Sequence, residues 1–271
     1  MPHDSSTFHY DSDLIGGSLM VRESRIVAEL LLAGVDDAAW KAAILDENRL
    51  QKARPATAKR MAQAIRKRLE RLPEPFWQVL HEGDDQLATQ VAFCAALARN
   101  LLLVEFLETV VADAFVTQAE CLEPYQWDDF LADRAYRDPA INGWTASSRR
   151  KMGQVAFRML SEVGLIESAR SRRLQPLMLR PEVVTLLERH HLIRLLDCLS
   201  ALGPRRAWPG TRQAVEKSGV CGGRLGHASA GFALAGGRCR GLCSGAGRER
   251  SGDRPDPVSY THLTLPTKRI V

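Results

Sequence analysis

The sequence predicts an all-α fold carrying one small β-hairpin. Apolar residues recur at three- and four-residue spacing through most of the chain from Ser18 to Leu202. Asp, Ser and Pro stand just before those runs and Gly just after several of them, where helices start and stop. The one break in this pattern is Glu167–Leu179, where two strand-like pieces flank a basic turn.

Residues 1–17 are polar and end in Gly16-Gly17, which predicts an arm. Ser18 is a plausible N-cap for a helix to about Ala33, with Leu19, Ile26, Val27, Leu30 and Leu31 inward and Gly34 as the stop. Asp36 caps a second helix to about Asn48, with Trp40, Ile44 and Leu45 inward. Pro55 suits the first turn of a third helix, where a missing N–H costs little. Pro73 and Pro75 end it. Three short helices in this order suggest a helix-turn-helix-like domain over 18–80. Central helices follow over 81–140: Asp85–Arg99, Leu101–Gln118 and Trp127–Ala135. A third region, 141–203, opens with a helix capped by Ser147 or Ser148 and running to Glu162. Gly164-Leu-Ile166 and the basic hairpin come next, the order of a winged-helix-like module. A last helix from Pro181 to about Leu202 packs Val184, Leu187, His191, Ile193, Leu195 and Cys198.

The formal charge of +5 misleads. Residues 204–271 hold 12 of the 37 Lys and Arg residues but only 4 of the 32 Asp and Glu residues, so the first 203 residues are mildly acidic. The same segment holds 12 of the 20 glycines and shows neither helical nor strand period, so it reads as disordered. Pro257-Val-Ser-Tyr-Thr-His-Leu-Thr-Leu-Pro-Thr267 resembles translated sequencing adapter, and 204–256 an out-of-frame extension. The start of the chain lacks the basic-then-apolar order of a secretory leader. The longest apolar stretch, Val91–Val104, is interrupted by Arg99 and Asn100 and is too short to span a bilayer. Cys94, Cys121 and Cys198 are widely spaced in apolar surroundings and read as buried free thiols of a cytoplasmic protein.

Catalytic and metal chemistry find no support. His190-His191 has no carboxylate or cysteine at i+3 or i+4, and His81-Glu82 lacks the second histidine of a metalloprotease helix. Cys221, His227, Cys239 and Cys243 match no common zinc-finger spacing. Asp84-Asp85 and Asp128-Asp129 suit helix starts, where acids oppose the macrodipole. No cofactor is expected, and the reading is non-enzymatic.

The chemistry that does stand out is cationic. Between Arg49 and Arg71 lie nine Lys or Arg residues and a single acid, Glu70. At 100° per residue, Ala58, Met61, Ala62, Ile65, Leu69 and Leu72 share one arc of the third helix. Lys59, Arg60, Lys67, Arg66 and Arg71 take the other side, Arg68 falls at the border, and Lys52 and Arg54 precede the helix. A second cluster comprises Arg149, Arg150 and Lys151 at a helix start and Arg170, Arg172 and Arg173 in the hairpin turn. Such faces can seat against phosphates, although a merely solvated face has the same composition.

Ser18-Leu-Met-Val-Arg-Glu-Ser-Arg-Ile-Val-Ala-Glu-Leu-Leu-Leu32, Trp40, Glu47-Asn-Arg-Leu-Gln-Lys52, Thr57-Ala-Lys-Arg60 and Arg68-Leu69 together resemble the BrxA family. So do Trp144-Thr-x-Ser-Ser-x-Arg-Lys151 and Leu160-x-Glu-x-Gly-Leu-Ile166. The resemblance spans about Ser18 to Leu202. It implies a small helical accessory component of BREX, the bacteriophage-exclusion systems that mark host DNA by adenine methylation. It also implies DNA binding without catalysis, in company with a methylase, an ATPase and a phosphatase-like protein. The expected partners are therefore double-stranded DNA and these components, with no membrane. The thirteen cations from Lys52, Arg54 and the third helix to Arg173 are the expected DNA contacts, mostly to phosphate. Neutralising about five phosphates would give a slope of log K against log salt of about −4.5. The alternatives are an adaptor docking acidic proteins of the same complex, and a helix-turn-helix transcription regulator.

Overall fold

A computed structural model describes residues 9–204, and these are predominantly helical. The adapter-like end, the glycine-rich segment, the whole Cys221, His227, Cys239 and Cys243 set and the first eight residues of the arm lie outside the described residues. The helices are α1 (Val21–Leu32), α2 (Asp37–Lys41, widening into a π turn over Ala42–Asp46), α3 (Pro55–Leu69) and α4 (Glu74–Glu82). Then come α5 (Asp85–Arg99), α6 (Leu101–Phe106, with a π turn over Leu107–Val111) and α7 (Ala112–Val116). The series ends with α8 (Pro124–Arg137), α9 (Ala146–Val163), α10 (Pro181–Arg189) and α11 (Ile193–Ala201). Short 3-10 turns occupy Asp13–Gly16 and Pro139–Gly143.

Helix α5 is the hub. Ten of its 15 residues are buried, and it packs against α1, α3, α4, α9, α10 and α11. A helix covered on all sides must be apolar all round, and Ala88, Ala92, Ala95 and Ala96 let neighbours approach closely. At Asn100 the chain bends by 106° into α6. The Asn100 side chain caps the new helix by accepting the Leu103 N–H at 3.0 Å, which satisfies one orphan donor. Among the described residues no single helix is long and apolar enough to cross a membrane. On the far side of α6, Phe106 meets Trp127, Phe130 and Phe157 edge-on at ring distances of 4.9, 5.3 and 6.2 Å, joining α6, α8 and α9.

Several local expectations are corrected. Ser18 is not the cap of α1. The helix begins after Met20, which is left-handed at φ 51°, and carries no side-chain cap. Pro75 starts a helix as well as following one: α4 places it in the first turn and packs Phe76 and Leu80 against the core. Thr145, rather than Ser147 or Ser148, caps α9 by accepting the Ser148 N–H. Asp128 and Asp129 lie past the first turn of α8, because that helix starts at Pro124. The last helix is two helices. His191, at φ 56°, separates α10 from α11, which resets the phase and leaves His191 and Ile193 exposed. Cys121 is half-buried, and its Sγ lies 3.4 Å from Glu123 Oε1.

After α9 the chain forms isolated antiparallel bridges, Ile166 with Leu174 and Cys121 with Arg173. The Glu167 N–H donates to the Arg173 carbonyl at 2.9 Å, and the Gln175 N–H donates to the Leu165 carbonyl at 2.8 Å. Between them Ser168 Oγ accepts the Ser171 N–H, closing the turn that carries Arg170 and Arg172. No named strand occurs among the described residues.

Residues 9–20 form a docked strap. The Tyr10 N–H donates to Asp138 Oδ2 at 2.7 Å, and the Tyr10 hydroxyl donates to Glu105 Oε2 at 2.7 Å. Arg99 pairs with Asp11 and Asp13 at 2.7 and 2.6 Å. The Leu19 N–H donates to Glu162 on α9 at 2.8 Å. Tyr10, Leu14 and Leu19 are buried, so the strap is part of the core.

Candidate nucleic-acid interface

The amphipathic pattern of α3 decides how its cations are presented. Ala58, Ala62, Ile65 and Leu69 are buried against the body. Lys59, Arg60 and Lys67 on the helix, Arg54 at its N-cap and Arg71 just past its C-cap are exposed and have no ion-pair partner among the described residues. The other cations of this region are engaged. Lys52 Nζ lies 2.5 Å from Glu23 Oε1. Burial pushes the Glu23 carboxyl up, but the Lys52 hydrogen bond, a backbone hydrogen bond and the charges of Lys52 and Arg22 together hold the group below its ordinary value. Arg66 pairs with Glu70 at 2.7 Å, and its guanidinium stacks 4.8 Å from the Trp40 ring centroid. Arg68 is only 7% exposed and donates to the carbonyls of Ser18 and Gly17 at 2.8 and 2.9 Å. Burial lowers its pKa to about 10, so it remains a cation at neutral pH.

The second cluster divides in the same way. Arg150 and Lys151 on α9 are exposed and have no ion-pair partner among the described residues, as is the case for Arg170 in the turn after it. Arg149 is spent locally: it donates to the carbonyls of Ile141 and Asn142 at 3.3 and 3.2 Å. Arg172 donates through Nε to the Leu122 carbonyl at 2.8 Å and pairs with Glu123 at 3.3 Å. Arg173 pairs with Glu120 at 3.0 Å. Arg158 was not among the expected contacts, yet it is exposed and unpaired two turns along α9. The signal was present, since Arg150, Gln154 and Arg158 recur at four-residue spacing and so share one face.

Two concave surfaces collect these side chains. One, of about 680 Å³, lies among α8, α9 and the 168–172 turn, with Arg150, Lys151, Arg158 and Arg172 on its walls and Asp128 as its acid. Its floor is set by Gly153, where a Cβ would stand 2.8 Å from Trp127 Cδ1. A neighbouring hollow of about 900 Å³ shares Arg150, Lys151 and Gln154 and extends to Trp144 and Arg149. The other surface, of about 370 Å³, lies between α3, the strap and the α5–α6 corner. It brings Arg60, Lys67, Arg68 and Arg99 around Asp13. Spacing along the sequence does not reveal Arg99 as a neighbour of α3, because that proximity arises only in the packed molecule. Among the described residues no group of three or more His, Cys, Asp or Glu is placed to hold a metal. Cys94 is fully buried and its thiol is pushed up to about 12, which makes it inert as a nucleophile.

Comparison with known proteins gives the family and a similar fold. The family model described as BrxA matches residues 8–191. A protein of Paramagnetospirillum magneticum (strain ATCC 700264 / AMB-1) named BREX protein BrxA is 37% identical over 190 residues, covering 70% of this chain and 96% of that one. Another of that name from Escherichia coli O9:H4 (strain HS) is 37% identical over 188 residues, covering 68% and 88%. The crystal structure of an uncharacterized protein from Magnetospirillum magneticum superimposes with a TM-score of 0.65 at 36% identity, covering 70% of this chain and 97% of that one.

Proposed function

The chain belongs to the BrxA family, and from that membership and its cationic surfaces we propose that it is a non-enzymatic, duplex-DNA-binding component of a BREX phage-defence system. Its setting would be the cytoplasm, alongside the methylase, ATPase and phosphatase-like protein that the family implies. The observation that carries the reading is selective. Many arginines of this body are held by acids: Arg25, Arg99, Arg180 and Arg194 each pair with at least one. Lys59, Arg60 and Lys67 on α3, and Arg150, Lys151 and Arg158 on α9, are not. Unpaired, exposed cations gathered on two helices release counterions when they meet phosphate, and that release drives sequence-independent DNA binding. In this reading α3 serves a helix-turn-helix-like domain over 18–80. Helix α9 and the 165–175 turn serve a winged-helix-like module over 141–203, and 81–140 joins them. Contacts of this kind position a protein on DNA without reading bases.

The test is a duplex-binding titration across salt concentrations. Lys59→Gln, Arg60→Gln and Lys67→Gln together should weaken binding and reduce the salt slope by about 2.7. The triple variant of Arg150, Lys151 and Arg158 to Gln should do the same. Unchanged slopes in both would remove the proposal. Arg66→Gln serves as the control and should change the slope little, because Arg66 is committed to Glu70 and Trp40.

A second reading, an adaptor for acidic proteins of the same complex, is favoured by the excess of acids in the first 203 residues. It expects weak duplex binding by the isolated chain and a nuclease-resistant association with another BREX component.

A further inference from the structure

The surface between α3 and the α5–α6 corner has an unusual occupant. Arg60 and Lys67 reach it from α3, and Arg99 closes it from the end of α5. Arg99 donates to Asp11 Oδ2 at 2.7 Å and to Asp13 Oδ2 at 2.6 Å. Its Nε is buried and makes no hydrogen bond, an unspent donor beside the pocket. Asp11 and Asp13 are themselves half-exposed, with side-chain accessibilities of 41% and 50%. The strap is positioned by other contacts, those of Tyr10 with Asp138 and Glu105 and of Leu19 with Glu162. Its two acids are therefore not needed to hold it in place. Arg68, beside them, is fully engaged with the Gly17 and Ser18 carbonyls and contributes charge to the site without contact.

Two carboxylates bonded to one guanidinium hold the place that the charged oxygens of a phosphate would take, with two unpaired cations, Arg60 and Lys67, alongside. We infer that this pocket is a phosphate site of the molecule, with Arg99 as its deepest donor, and that Asp11 and Asp13 are resident competitors which an incoming phosphodiester must displace. The inference rests on the reading of α3 as a DNA-contacting helix. It adds a donor outside that helix and a built-in restraint on affinity. Because the displaced acids are exposed, they regain water when released, and the exchange replaces two carboxylate charges beside Arg99 with the single charge of a phosphodiester.

The experiment uses the full chain, a 20-base-pair duplex and, separately, inorganic tripolyphosphate as a polyanion without nucleic-acid structure. Asn keeps the oxygen by which Asp11 accepts the Asp13 N–H, so Asp11→Asn with Asp13→Asn preserves the strap's local turn while removing its charge. This double variant should bind duplex about ten-fold more tightly than the parent at the same salt, with a slope steeper by about 0.9. Adding Arg99→Gln should abolish that gain. In the parent chain, tripolyphosphate should speed amide hydrogen exchange at residues 11–14 while sparing the amides of Tyr10 and Leu19. Tripolyphosphate effects without duplex binding would keep the phosphate site and sink the DNA reading. Duplex binding with no gain from the double variant, or a gain that survives Arg99→Gln, would overturn the inference alone.

Discussion

At the scale of single residues, two positions test how tightly the site's framework is built. Gly153 is where α9 passes the indole of Trp127, and an added methyl would fall 2.8 Å from Cδ1 and 3.1 Å from Cγ. The ring cannot retreat, because it packs edge-on against Phe106 at 4.9 Å and donates Nε1–H to the Arg149 carbonyl at 3.2 Å. Gly153→Ala should therefore lower stability by about 1–3 kcal/mol despite Ala's better helix propensity, measured by denaturant unfolding. Asp138, at 1% exposure, accepts from the backbone N–H groups of Tyr10 and Ala140 and from His9. Burial works to raise its pKa, but these hydrogen bonds prevail and hold it below the ordinary carboxylate value. A carboxyl depressed by folding stabilises the fold above its unfolded pKa, and that stabilisation is lost as pH falls through the native value. Glu108, held by Arg194, acts in the same sense. The melting temperature should thus fall below about pH 4, and Asp138→Asn should be less stable at pH 7 yet show a shallower acid decline.

At the scale of elements, helix ends explain which parts of the fold were legible in the sequence. Helices α1 and α9 end as glycine rules require: Gly34 and Gly164 take φ 58° and 85°. In each, the next residue's N–H reaches back five positions, Val35 to Leu30 and Leu165 to Leu160. Helices α10 and α7 end in the same motif without glycine. His191 and Gln118 occupy the left-handed position, and Leu192 and Ala119 donate back to Leu187 and Ala114. The sequence carried no warning there, so α10 and α11 read as one helix. His191→Gly and Gln118→Gly should each raise stability by about 1 kcal/mol by relieving the left-handed strain, read as a rise in unfolding midpoint. Helix α4 was missed for a related reason, since a proline that ends one helix can start the next. By contrast, the apolar arc of α3 was plain in the sequence, and Ala58, Ala62, Ile65 and Leu69 occupy it as expected.

At the scale of the whole molecule, sequence periodicity located the cationic helices but not which cations remain available. Thirteen residues were expected at the interface, but Lys52, Arg66, Arg149, Arg172 and Arg173 are each drawn into hydrogen bonds or ion pairs with other elements or neighbouring turns. Arg99 comes beside α3 only through tertiary packing, whereas Arg158 shares a face of α9 with Arg150 by spacing alone. Availability depends on acids supplied by other elements, which spacing along one helix does not encode. If the six unpaired cations of α3 and α9 each neutralise one phosphate, the salt slope should be about −5. A slope near zero would leave only the adaptor.

The strap has a consequence for biosynthesis. Tyr10 and Leu19 bind partners 128 and 143 positions further along the chain. These two contacts thus cannot close until α8 and α9 have been synthesised, because contacts so distant in sequence form only after the intervening chain has condensed. A nascent chain arrested before Asp138 should leave the Tyr10 and Leu19 amides without these acceptors, and protease cleavage near residues 9–19 should reach its final slow rate only once synthesis passes Glu162.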